Sequence, residues 1–214
     1  MPGKTVTKQV RISIGGVSLN GDLNVPAAAS GLVIFAHGSG SSRSSPRNRS
    51  VAEELQKAGL ATLLFDLLTV EEDETYENRF DIGVLTQRQV QVVDWASKQP
   101  ELKDMPIGLF GASTGAAAAL RAAAELESGI KAVVSRGGRP DLAGDALPGV
   151  QAPTLLIVGG DDDVVIGLNQ QAYDQLSCVK KLEIVSGATH LFEEPGTLEK
   201  VSQLAVDWFS SYLK

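Results

Sequence analysis

The chain has 214 residues, 43% of them hydrophobic, and a net charge of −7. Such a length and apolar share suit one sizeable α/β core, a single domain over residues 1–214, and the acidic balance speaks against nucleic acid or an anionic membrane surface as a partner. A lone cysteine, Cys178, excludes an internal disulfide, and with only two histidines beside it a structural zinc site is not expected.

No apolar run approaches the roughly 20 residues of a membrane-spanning helix. Residues Met1 to Thr5 show no apolar stretch of the signal-peptide kind, so a reducing cytoplasmic setting is the expectation. Residues 8–25 read as a hairpin, two alternating runs around Gly15-Gly16. Pro26 to Ser30 connect it to Gly31–Ala36, a continuous apolar run of the kind buried on both faces of a sheet. His37-Gly38-Ser39-Gly40 and a polar loop follow, then a helix over 50–58 that Gly59 ends. A second buried strand covers 60–66, an acidic loop 67–77, and a helix 82–98, which stops before Pro100. Later strands are expected at 106–110, 130–135, 154–159 and 181–185, with helices at 116–126, 168–176 and 197–213. Strands alternating with helices predict a mostly parallel twisted sheet with helices on both faces and the hairpin as an antiparallel edge.

The stretch Gly111-Ala112-Ser113-Thr114-Gly115 lies between a predicted strand and an alanine-rich helix. G-x-S-x-G at such a junction places a serine on a sharp, strained turn with its hydroxyl pushed off the sheet edge. Bulk at Gly111 or Gly115 would collide with the packed strand and helix. The backbone N–H of Thr114 would start the helix, where donors are free and the dipole favours negative charge. The plainer reading of Ser113 is a helix cap, so the other strand ends decide between the two.

In a doubly wound sheet, functional residues gather at the carboxyl ends of the strands. There stand His37, Asp66, Ser113, Arg136 and Arg139, the three aspartates Asp161 to Asp163, and His190. Serine, acid and histidine thus follow one another in the α/β-hydrolase order. Serine needs a base to become a nucleophile, imidazole can take a proton and return it, and a carboxylate fixes the imidazole tautomer. His190, in the loop after the last strand, is the expected base, with His37 the rival. Asp162 is the expected acid, with Asp161 the alternative and Asp163 a cap. Backbone N–H groups of Ser39 and Thr114 are the expected oxyanion donors.

With these residues in view, the chain resembles the α/β-hydrolase superfamily, and within it the dienelactone-hydrolase-like branch, over nearly its whole length. Gly111-x-Ser113-x-Gly115, Gly160-x-Asp162 and Ala188-Thr189-His190 stand at the family's triad positions. The loop 37–48, Arg79–Gly83 and Ser135–Asp141 resemble a subgroup found fused to or beside phosphoribosyltransferase domains. Dienelactone hydrolase proper carries cysteine in the turn, where this chain has serine. The resemblance therefore implies a serine hydrolase acting on a small carboxylic ester, with no cofactor and no metal.

An acyltransferase, amidase or lactonase on the same scaffold, or a non-catalytic partner module, are the alternatives, and monomer and homodimer are both open. The connection between Arg136 and Pro153 is too short for an inserted helical lid, so a short-chain or small ester is expected. Arg43, Arg47 and Arg136 are candidates to hold an anionic group of the substrate. The plainer reading pairs Arg43, Arg47 and Arg49 with the acidic stretch 71–77, and gives Arg136, Arg139 and Asp141 an ion-pair role. Trp95, Trp208 and Phe209 are expected in the core, and Cys178 as an inert thiol.

Overall fold

The computed structural model describes residues 5–214, so the reading of Met1 to Lys4 lies outside the described residues. Strands β1 (Val6–Ile14) and β2 (Val17–Val25) pair antiparallel in full register across Gly15-Gly16. Both glycines have positive φ, as the two-residue hairpin turn demands. Then come β3 (Leu32–Ala36), α1 (Pro46–Lys57), β4 (Ala61–Phe65), α2 (Val70–Asp73) and α3 (Ile82–Ser97). The chain continues through β5 (Ile107–Ala112), α4 (Thr114–Leu126), β6 (Ile130–Arg136), β7 (Thr154–Gly159), α5 (Asp163–Gln175), β8 (Lys180–Val185) and α6 (Thr197–Tyr212).

The eight strands lie in the order β1-β2-β4-β3-β5-β6-β7-β8. All neighbours from β4 onward are parallel, and the hairpin joins antiparallel through β2 and β4. This is the α/β-hydrolase fold that the sequence implies. Side-chain alternation divides the core. Leu32 and Ile34 face a cluster built on α3, α4 and α5, while Val33 and Phe35 face one built on α1 and α6. Phe35 and Phe110 meet on the second face, ring centroids 4.7 Å apart. Strand order reverses direction at β3, which has β4 on one side and β5 on the other. The topological switch point therefore falls between β3 and β5, at whose carboxyl ends Ala36 is paired with Gly111.

Helix α1 starts four residues before the apolar periodicity does. Ser45 Oγ accepts the Asn48 N–H at 3.3 Å and Pro46 takes the first helical position, so a polar first turn is stabilised by its cap. The acidic loop is partly structured: Thr69 and Glu72 form a reciprocal capping box that nucleates α2, and Tyr76–Phe80 is a 3-10 turn. Helix α5 starts at Asp163 rather than near 168. The Arg136–Pro153 connection is packed down: it holds a kinked 3-10 segment, Pro140–Gly149, with Pro140, Ala143 and Leu147 buried. Trp95 and Trp208 pack partly buried against the core clusters, and Phe209 is fully buried.

Phe209 closes the α6 face, and its loss leaves a cavity that the close-packed sheet cannot collapse into. Phe209→Ala is expected to lower the unfolding free energy by about 3–5 kcal/mol in urea titration.

Candidate active site

The turn after β5 has the strained geometry its sequence implies. Ser113 lies at φ +51°, ψ −123°, and makes no side-chain cap to α4. A non-glycine residue enters this region only when its surroundings hold it there. Ser113 N–H donates to Arg136 O at 3.3 Å, and Ser113 O accepts from Ala116 N–H at 3.1 Å and Arg139 N–H at 3.0 Å. The flanking glycines are steric necessities. A Cβ on Gly111 would stand 2.4 Å from Ala116 Cα, and one on Gly115 would stand 2.3 Å from Ala36 O.

The loop after β8 brings His190 to the same edge. A Cβ on Gly137, one residue past the Arg136 carbonyl that Ser113 binds, would stand 2.9 Å from His190 O and 3.7 Å from its Cε1. His190 Nδ1 bonds Asp162 Oδ2 at 2.8 Å. Of the three adjacent aspartates, Asp162 is thus the one on the imidazole. The backbone N–H of Asp161 donates to Ala188 O at 2.9 Å and staples the loop after β7 to the loop after β8. Asp163 starts α5, with Asp162 rather than Asp163 at the cap position. The His190 side chain is 38% exposed and that of Asp162 17%, so the imidazole is open to solvent while the carboxylate is sheltered. Asp162 and His190 are thus bonded across the ends of β7 and β8, and Ser113 stands at the end of β5, with β6 between. Among the described residues Ser113 and His190 share no hydrogen bond, as such pairs often do not before substrate enters.

Several residues that hold this arrangement carry no signal in the sequence. Thr189 donates to Glu194 through its N–H at 3.1 Å and its hydroxyl at 2.6 Å, closing the His190 loop on itself. Those bonds hold the Glu194 carboxyl below the usual range. Phe192 is fully buried beneath the loop at φ +57°, and the Arg136 guanidinium lies 6.0 Å over its ring.

His37 is unavailable as a base. Its Nδ1 bonds Gly38 O at 2.9 Å and its Nε2 accepts Leu67 N–H at 3.1 Å. Both nitrogens are spent on loop geometry, and burial pushes the pKa below its ordinary 6.5. Ser39 differs from expectation. Its N–H donates to Thr114 Oγ1 at 2.9 Å, because the residue after the nucleophile carries a hydroxyl that reaches back to the β3 loop.

The arginines are corrected most. None of Arg43, Arg47 and Arg49 pairs with the acidic stretch, whose Asp73 and Glu72 are taken by Arg79 and Arg88. Arg43 binds Asp66 through both its backbone N–H (2.9 Å) and its guanidinium, and also approaches Asp22. Asp66 is thereby a loop-ordering acid. Arg49 pairs with Asp22 and Arg47 with Glu193. Arg139 pairs with Asp141, whereas Arg136 has no acid partner among the described residues and donates instead to Asn48 Oδ1 at 3.2 Å. Arg136 is 6% exposed, and burial, with the like charge of Arg47, lowers its pKa to about 10. Cys178 is half-buried, its Sγ 3.7 Å from Thr154 Oγ1. Among the described residues no cluster of His, Cys, Asp and Glu could hold a metal, and no helix is long and apolar enough to cross a membrane.

A family model described as an alpha/beta hydrolase domain matches residues 29–208. The chain belongs to the alpha/beta hydrolase family. A crystal structure of dienelactone hydrolase from Anabaena variabilis is 56% identical, covering 99% of this chain and 100% of that one with a TM-score of 0.97. This hydrolase is accordingly of the dienelactone-hydrolase-like branch. The hydrolase is also 57% identical over 206 residues to a Mycobacterium tuberculosis protein whose provisional name is phosphoribosyl transferase. That match covers 96% of this chain and 46% of the relative, so the chain spans about half the length of the curated relatives it matches. Est1E from Butyrivibrio proteoclasticus, 20% identical with a TM-score of 0.81 over 95% of this chain and 98% of its own, shares the fold.

A histidine whose pKa is lowered in the native state contributes stability above its unfolded pKa, and that contribution is lost as pH falls through the window below it. Acidification should therefore loosen the β3 loop through His37. His37→Gln, which cannot titrate, is expected to lose less melting temperature than the unaltered protein between about pH 7.5 and about pH 5.5.

Proposed function

We propose that this hydrolase cleaves small carboxylic esters through an acyl-enzyme on Ser113. The observation that carries the reading is the strained Ser113 turn standing beside the His190–Asp162 hydrogen bond. In the first half-reaction Ser113 Oγ adds to the ester carbonyl carbon as its proton passes to His190 Nε2. Asp162 holds Nδ1–H and favours the imidazolium. The carbonyl pair moves onto oxygen, facing the Thr114 N–H at the start of α4. Collapse expels the alcohol, which takes the proton from His190, and water then repeats the sequence to release the acid.

The packed 140–149 segment leaves the site without an inserted lid, which favours small soluble esters over lipid aggregates. Exposed apolar side chains follow the same strand ends, Val70 after β4, Val164 after β7 and Leu191 after β8, and suit a short acyl or aryl group. The transferase name belongs to relatives about twice as long, and the residues argued here lie in the matched part. A cytoplasmic location accords with the lone cysteine. A serine in place of cysteine favours ordinary esters over dienelactones.

Arg136, buried near Arg47 with no carboxylate partner among the described residues, extends the reading to esters that also bear an anionic group. Arg136→Met is expected to raise KM for an ester with a free carboxylate while leaving that for p-nitrophenyl acetate near its original value. An equal change for both esters would remove this arginine from substrate recognition.

Ser113→Ala and His190→Ala are each expected to lower kcat for p-nitrophenyl acetate by about 10⁴–10⁶-fold. A fluorophosphonate should label the protein and fail to label Ser113→Ala. Near-normal turnover in Ser113→Ala would overturn the mechanism. Asp162→Asn should cost far more activity than Asp161→Asn.

A further inference from the structure

The β3 loop and the β5 turn are joined by one hydrogen bond, and it stands where the reaction needs donors. Ser39 N–H donates to Thr114 Oγ1 at 2.9 Å. Ser41 N–H is taken by Gly38 O at 3.2 Å, and the same carbonyl bonds His37 Nδ1 at 2.9 Å. The loop is thus pinned before substrate arrives. It also lies against the nucleophile, since a Cβ on Gly38 would stand 3.0 Å from Ser113 Cβ and 3.7 Å from its Oγ.

An ester oxygen approaching Ser39 N–H would find Thr114 Oγ1 already on it. Thr114 is 4% exposed, and its branched Cβ restricts the side chain to few orientations. As the first residue of α4, it has no helical carbonyl for its own N–H. Its hydroxyl oxygen accepts from Ser39, so the hydroxyl proton is directed away from that amide, and no described residue accepts it. A hydroxyl polarised by an incoming N–H is a better donor in turn.

We infer that Thr114 supplies two oxyanion donors, its backbone N–H and its side-chain hydroxyl, with Ser39 N–H behind the hydroxyl as the group that orients it. The inference rests on the ester-hydrolase reading above and puts the Thr114 hydroxyl in the place that the sequence gives to the Ser39 N–H. As Ser113 Oγ bonds the carbonyl carbon and its proton moves to His190 Nε2, the carbonyl π pair becomes the oxyanion lone pair. That oxygen accepts from both Thr114 groups. Thr114 forms no covalent bond and returns unchanged when the carbonyl reforms and the alkoxide leaves with the His190 proton. The donor is then a property of the residue after the nucleophile, so serine can replace threonine there and valine cannot.

The experiment compares the unaltered chain with Thr114→Val and Thr114→Ser, measuring kcat and KM for p-nitrophenyl acetate and the melting temperature of each. Thr114→Val keeps the shape and removes the hydroxyl. It is expected to lower kcat roughly 100-fold with little change in KM, as loss of one oxyanion donor does, while Thr114→Ser keeps most of the rate. A Thr114→Val enzyme as fast as the original, or faster, would mean that the freed Ser39 N–H serves the oxyanion directly, and would overturn the assignment. A fall in kcat together with a raised KM, a lowered melting temperature and no rescue by serine would reduce Thr114 to a tie between loops, and would overturn it too. If the unaltered chain neither turns over the ester nor takes a fluorophosphonate label at Ser113, the ester-hydrolase reading itself fails and this inference falls with it.

Discussion

Ser113 is held at φ +51°, and the structure around the catalytic edge is what keeps it there. Such a conformation costs a non-glycine residue about 1–3 kcal/mol. The cost is met by contacts on every side. The end of β6 holds the Ser113 N–H and the loop after it holds the Ser113 carbonyl, and Gly115 is pressed against the carbonyls of Ala36 and His37. Helix α4 can approach this closely because Ala116 to Ala119 are small and fully buried. The strain turns the hydroxyl off the sheet edge, and the same turn presents the first amide of α4. The Ser113 hydroxyl and the Thr114 amide are therefore presented by one local structure, set by packing of small residues.

His190 and Asp162 are positioned by a different device. Their loops leave β8 and β7 and are stapled to each other by the Asp161–Ala188 bond, which supports the His190–Asp162 bond from behind. Glu194 closes the base loop from one side and Phe192 anchors it from below. Arg136 links this anchor to α1 through Asn48 and links it to Ser113 through its own carbonyl. One residue thus touches both loop systems, and its buried charge has no carboxylate partner among the described residues. Structural arginines here do have acids: Arg43, Arg79, Arg88 and Arg139 are each paired. The contrast is what makes Arg136 stand out.

Much of this was legible before any coordinates. The elbow glycines, the continuous apolar strands and the order of serine, aspartate and histidine are local or periodic features, and each survives in the structure. Two elements escape the apolar pattern for one reason: helix α1 is longer than its periodicity shows, and α2 lies in the acidic loop, because both starts are polar and depend on caps. The arginine partners were misread because a charge on a loop has several acids within reach, and only the folded path decides among them. Arg47 meets Glu193, a residue 146 positions away.

The sequence by itself determined the fold, the Ser113 turn and the set of residues able to do the chemistry, because strand hydrophobicity, glycine placement and side-chain type act locally. Tertiary structure alone decided which aspartate meets His190, that His37 is consumed by Gly38 and Leu67, and that Ser39 N–H is taken by the Thr114 hydroxyl. Each of those is a hydrogen bond between loops from different strands. Its partner depends on distances of a few tenths of an ångström, which packing of the whole sheet sets and no local pattern encodes.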